Sequence, residues 1–190
     1  MMQKINDLYG KPVIGQHTGN QIATVRDIVL DAEIRQIVAL IIGGGWSGPE
    51  QVIRRERIIG VGEFIVADDA LPFPAGAEDI EVAELRKNAE RITGKKIIST
   101  TGEQIGTVGD IYFKDAMIVG FELKRGLFSG GEPEIVQIEN VQAVGKDAVI
   151  AVTEHLVALS AVTAQAVGDG DPAIPPAPIA GEPLDEPASP

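Results

Sequence analysis

The segment Ile105-Gly106-Thr107-Val108-Gly109-Asp110-Ile111 has an earlier version in the same chain, Ile22-Ala23-Thr24-Val25-Arg26-Asp27-Ile28. Alanine stands for the first glycine and arginine for the second. A phrase repeated together with its neighbours means two copies of one small domain, so the 190 residues divide into two units in series. Most matched positions lie about 83 residues apart, and the drifts in that spacing fall in loops, as a true duplication requires.

Copy one opens with a short strand over Leu8–Ile14, where Pro12 suits an edge. His17–Asn20 reads as a turn. Across Gln21–Leu30 the apolar residues Ile22, Val25, Ile28 and Leu30 slip out of strict alternation, which predicts a bulge or sharp bend. The unbroken apolar run Ile37–Ile42 predicts a core strand, and Gly43–Pro49 a mobile loop. A strand at Val52–Ile53, a charged connection at Arg54–Arg57 and a hairpin from Ile58–Val61 to Phe64–Val66 complete the copy. About six short strands in roughly 60 residues predict a small all-β barrel or sandwich.

Copy two repeats the order. Thr93–Ile98 answers Tyr9–Ile14, and Ile118–Leu123 answers the apolar run. Glu122 interrupts that run, which predicts a strand with one face to water. Between the copies, Asp68–Gly76 is a linker, and Val82, Leu85, Ala89 and Ile92 fall at helical spacing across Asp79–Arg91. Acidic residues at its start favour a short amphipathic helix packed on one or both barrels. Thr153 can cap a C-terminal helix running to about Val167, and Asp169–Pro190 is too poor in apolar bulk to fold. The expected fold is mainly β: a first barrel over 1–69, a helical linker over 70–91, a second barrel over 92–153, a helix over 154–167 and a disordered tail over 168–190.

The formal net charge of −12 repels phosphate backbones and anionic bilayers, so nucleic acid is a disfavoured partner. The absence of cysteine removes disulfides, thiolate metal sites and cysteine nucleophiles. No apolar run reaches the roughly 18 residues of a membrane span, and the first residues lack a secretory apolar region. A cytoplasmic protein is the expectation.

The two histidines, His17 and His155, stand at unmatched places without companions at metal or acid–base spacing. No catalytic, cofactor-binding or metal-ligating residue is therefore assigned, and no cofactor is expected. Gly43-Gly44-Gly45 precedes a tryptophan, a proline and a strand, which marks a hairpin loop rather than a phosphate cradle at a helix N-terminus. Asp27 and Asp110 recur at matched places, as do Glu56 and Glu139; a carboxylate satisfying backbone N–H groups at a bend is the reading this favours over a carboxylate pair doing chemistry.

Two features are candidate partner contacts. The glycine-rich loops carry Trp46 in copy one and Leu127 and Phe128 in copy two, bulky groups that either fold over a barrel mouth or anchor a partner. Arg54, Arg55 and Arg57 form the densest basic cluster, and Gln137, Ile138 and Asn140 replace them in copy two. They suit a solvated turn or a contact point for an anionic partner.

The order Gly-Lys-x-Val/Ile-Ile, a glycine turn, Ile-Gly-Thr-Val-x-Asp-Ile, an apolar strand, a glycine-rich loop and Val-Gly is specific. Copy two, from Ile92 to Val152, resembles a PRC-barrel domain, and copy one, about Met2 to Ala67, resembles it with Ala23 and Arg26 replacing glycines. That fold is shared by the cytoplasmic part of the photosynthetic reaction-centre H subunit and the C-terminal domain of the ribosome-maturation factor RimM. The resemblance implies a non-enzymatic docking module for a protein partner on a larger, photosynthetic or otherwise membrane-associated complex. The alternatives are a ribosome- or RNA-associated assembly factor using the arginine cluster, and a small-ligand binder using a cleft between barrels. The partner's identity and homo-oligomer formation stay open.

Overall fold

The computed structural model describes residues 2–43, 49–89, 91–126, 133–152 and 156–161. After a short strand β1 (Gln3–Lys4) come β2 (Pro12–Gly15), β3 (Gln21–Leu30), β4 (Ile37–Gly43), β5 (Glu50–Arg54), β6 (Ile58–Val61) and β7 (Ile65–Ala67). Helix α1 (Ile80–Asn88) leads into β8 (Lys96–Ser99), β9 (Gln104–Lys114), β10 (Met117–Lys124), β11 (Glu134–Gln137), β12 (Val141–Val144), β13 (Ala148–Ala151) and β14 (Val157–Ala158). The first sheet runs β5-β4-β3-β2-β7-β6, and the second repeats that path as β11-β10-β9-β8-β13-β12. In each, one parallel pair closes the path, β2 with β7 and β8 with β13.

The predicted bulge is present. The β3–β4 register shifts between Val25 and Asp27, and the β9–β10 register shifts at the matching place, where Ile111 faces Phe121 and Val108 faces Leu123. The repeated aspartate accounts for it: Asp27 Oδ1 accepts from Ile28 N at 2.9 Å and Asp110 Oδ1 from Ile111 N at 2.8 Å. A bulge leaves a backbone donor without its ladder partner, and the neighbouring carboxylate supplies one.

Matched positions build matched interiors. Val13, Val25, Leu40, Ile53 and Ile65 are buried in copy one, and Ile97, Val108, Phe121, Val136 and Val149 in copy two. All belong to one apolar cluster that runs through both barrels. Each such side chain contributes about 1.5–3 kcal/mol on burial, so the aliphatic composition suffices for two small cores.

Helix α1 is shorter than its apolar spacing predicts. Asp79 caps it, accepting from Val82 N at 3.2 Å, and Ala89 is already extended. Ile92 belongs to the shared core instead. Val82 is buried on the outer face of copy one against Val29, Ala39, Ile41 and Val52.

A C-terminal helix is present and only its expected start at 154 is corrected; residues 153–155 and 162–190, the rest of the range expected for this helix and the tail, lie outside the described residues. Val157–Ala158 is a strand on the edge of β11, and helical geometry begins at 159–161. The linker does the same service for copy one: Ala75 bridges to Gln51, and Val52 N donates to Pro74 O at 2.9 Å. An open sheet edge carries unpaired backbone groups, and that demand overrides helix preference at this point.

The barrels meet at the tips of their longest hairpins. Ile37 N donates to Ala116 O and Ile118 N to Arg35 O, both at 2.8 Å, with a bridge between Gln36 and Met117. The hairpin registers match Ile37 to Ile118 and Arg35 to Ala116, because Leu30 faces Ile37 as Phe113 faces Ile118. Each bond is therefore the other's image, and the copies are related by an approximate two-fold axis through Gln36 and Met117. This is the self-complementary geometry of a symmetric dimer, closed here within one chain.

Candidate functional site

The segments that precede each barrel cross this axis. The first residues of copy one, ahead of its own sheet, pair with copy two, Gln3 and Lys4 adding a short strand beside Phe113 and Tyr112. Helix α1, ahead of copy two, packs on copy one. The repeated aspartate receives both crossings. Asp110 Oδ1 lies 3.4 Å from the Asn6 N–H, and Asp27 Oδ2 accepts from Arg86 Nε at 2.9 Å. Arg86 also reaches Glu50 at 2.6 Å, a hydrogen bond that lowers the pKa of that carboxyl.

Beneath the first arm the chain buries charge. Lys4 Nζ lies 3.3 Å from Glu122 Oε2 and 5.2 Å from the Tyr112 ring centre. Glu122 is 9% exposed, which corrects the expectation that its strand shows one face to water. The physical reason is the crossing arm, invisible in the local pattern: it covers the strand and brings the countercharge. Burial pushes the Tyr112 phenol up, and by geometry its buried hydroxyl has no hydrogen-bond partner among the described residues.

The arginine cluster faces inward to the linker and the axis. Arg54 grips Asp79 through two hydrogen bonds of 2.7 and 2.6 Å and reaches Glu81 at 2.9 Å. The guanidinium lowers the Asp79 pKa, and hydrogen bonds to both acids raise that of Arg54. Arg55 Nη1 donates to Gln36 at 2.7 Å and lies 3.8 Å from Met117 Sδ, so it spans the two-fold axis. Arg57 donates to the carbonyls of Asp68, Leu71 and Pro72 and stacks 4.1 Å from the Phe73 ring centre. The three arginines thus clamp the linker and the axis. Trp46, Leu127 and Phe128 lie outside the described residues, as does His155. His17 sits in an exposed turn, its ring 3.1 Å from Asp68. Among the described residues no group of His, Cys, Asp or Glu is arranged to hold a metal ion.

Two surfaces lie outside these clamps. One is a cleft of about 850 Å³ on the two-fold axis, lined by both barrels, by α1 and by the connection after it. Matched residues from both copies line it: Tyr9 and Thr93, Ile5 and Ala89, Ile28 and Ile111. The other is the hairpin β6–β7. Ile59 is 54% and Phe64 47% exposed, and β6 has no strand on its outer edge among the described residues. Copy two carries Gln142 and Ala148 at those places. Sequence reasoning placed this hairpin but did not single it out as a surface, because exposure, not residue type, marks it.

Fold and site together define the class: a duplicated small β-barrel whose copies clasp each other about a pseudo-two-fold axis. The family model of the PRC-barrel domain matches residues 2–80 and again 86–157, and this chain belongs to that family, in tandem. A comparison with curated proteins found no match. Among the described residues no helix is long and apolar enough to cross a membrane.

Proposed function

We propose that this chain is a non-enzymatic adaptor that docks a protein partner through the free edge of its first barrel. PRC-barrel domains commonly serve as interaction modules, which supports the class of activity. The observation that carries the reading is the pair Ile59 and Phe64, large apolar groups on an edge hairpin whose counterpart in copy two is polar or small. An unpaired edge offers backbone hydrogen bonds to an extended segment, and exposed apolar groups beside it supply contact area. The ionisable groups that the fold gathers are spent on holding arm and linker, which favours a scaffold over a reaction centre. The same engagement of Arg54, Arg55 and Arg57 withdraws support from an RNA-facing reading.

The test is quantitative capture of partners from the native cell with the whole chain and with Ile59→Asp/Phe64→Asp. Both residues are exposed, so stability stays within about 0.5 kcal/mol, and the captured set is expected to shrink at least tenfold. Equal recovery of the same proteins by both forms overturns the edge assignment.

A further inference from the structure

The cleft on the two-fold axis exists only because two copies are joined, and its two sides have diverged in charge. Among the described residues four basic side chains line it, Arg86, Arg91, Lys95 and Lys146, against Asp27 and Asp31, a balance opposite in sign to the net −12 of the chain. Arg86 is neutralised by Asp27 at 2.9 Å and by Glu50, and Lys95 donates to Gly145 O at 2.5 Å. Lys95 has a structural twin: Lys11 donates to Gly62 O at the matched place in copy one. Arg91 and Lys146 have none. They are exposed on the cleft's copy-two side, and the residues that match them in copy one, away from the cleft, are the acids Asp7 and Glu63. The positions that line the cleft are basic, and their counterparts outside it are acidic.

Apart from Asn6, Asn88 and Thr93, the rest of the lining is apolar or aromatic. Ile5, Ile28, Ile92 and Ile111 contribute aliphatic surface and Tyr9 a ring that is 47% exposed. Burial raises the Tyr9 pKa, and hydrogen bonding to Asp27 adds to the shift, so the ring meets the cleft as a neutral phenol. A pocket with an aliphatic floor, one aromatic wall and two cations on a single side is shaped for an asymmetric guest.

We propose that this cleft binds a small organic anion with a flat apolar body, of the aromatic carboxylate or sulfonate class. The body lies against Ile28, Ile111 and Tyr9, and the anionic group meets Arg91 and Lys146 at the copy-two rim. The site is separate from the β6–β7 hairpin, so it stands or falls apart from the docking role.

The probe is 1-anilinonaphthalene-8-sulfonate, titrated by fluorescence into the full chain, with N-phenyl-1-naphthylamine as the same body without the sulfonate. The expected result is saturable binding at one site and at least tenfold weaker binding of the neutral analogue. Arg91→Glu/Lys146→Glu is expected to weaken the sulfonate at least tenfold while leaving the melting temperature without ligand, and partner capture through the hairpin, unchanged. Non-saturable binding overturns the proposal, as does equal affinity for the neutral analogue, or undiminished sulfonate binding by a charge-reversed protein that melts normally.

Discussion

The outer faces of β4 and β10 occupy matched places and are finished in opposite ways. On β4 the outward residues are Ala39 and Ile41, sealed by Val82 of α1 against Val29. On β10 they are Gly120 and Glu122, beside Tyr112 and beneath Lys4. One face is dry and aliphatic, the other ionic, yet both strands keep the same inner contacts and the same bulge. The inner face is shared by both copies and has to fill the barrel. The outer face answers only to whichever segment crosses the two-fold axis to cover it. Duplication thus preserved the barrels and left their covers free to diverge.

The sharpest way to break this comparison is to exchange residues between the copies. A Cβ on Gly120 would stand 2.4 Å from the carbonyl oxygen of Val136, and backbone cannot yield as a side chain does. Gly120→Ala is expected to cost about 3 kcal/mol in urea unfolding, although copy one carries Ala39 at that place. The reverse change, Ala39→Gly, is expected to cost about 1–2 kcal/mol. Equal losses would mean the two outer faces are not differently packed.

The ionic cover gives the next largest effect. Lys4→Met leaves Glu122 covered without its partner and is expected to cost about 2–3 kcal/mol by chemical denaturation. Lys4→Met/Glu122→Ile, which gives copy two the residue that copy one has in Ile41, is expected to recover most of that loss. A double variant no more stable than the single one would show that the buried charge is not what the arm compensates.

The dry cover rests on an ionic clasp at its rim, and acid should loosen it. Asp79 is held below its ordinary value of 3.8 chiefly by the Arg54 hydrogen bonds. Its contribution is therefore full above the unfolded value and is lost as pH falls through the lower folded one. Asp79→Asn keeps a capping side chain and removes the charge, so it is expected to cost about 1–2 kcal/mol at pH 6. The gap between the two proteins is expected to narrow at pH 3, and a gap that is constant with pH would assign Asp79 to capping alone.

Local chemistry made much of the fold legible. The alternation slip across Gln21–Leu30 marked the bulge at Asp27, and the repeat carried it to Asp110, since an aspartate beside a broken apolar rhythm feeds its own backbone. The unbroken run Ile37–Ile42 is buried on both faces, as expected of a core strand. The arginine cluster was visible and its use was not. Arg54 and Asp79 are 25 residues apart, and Arg55 meets Met117 across 62. No local pattern carries such pairings.

By itself the sequence determined that there are two barrels, where the long strand of copy one bends, and which apolar runs build the interiors. These follow from periodicity, turn chemistry and duplication, all of which act over a few residues. Only the tertiary structure decided that each leading segment covers the other barrel, that Glu122 is buried, and that Arg91 and Lys146 rim a shared cleft. Those outcomes depend on which surfaces the two-fold axis brings together, and contacts between surfaces distant along the chain leave no mark on the order of neighbouring residues.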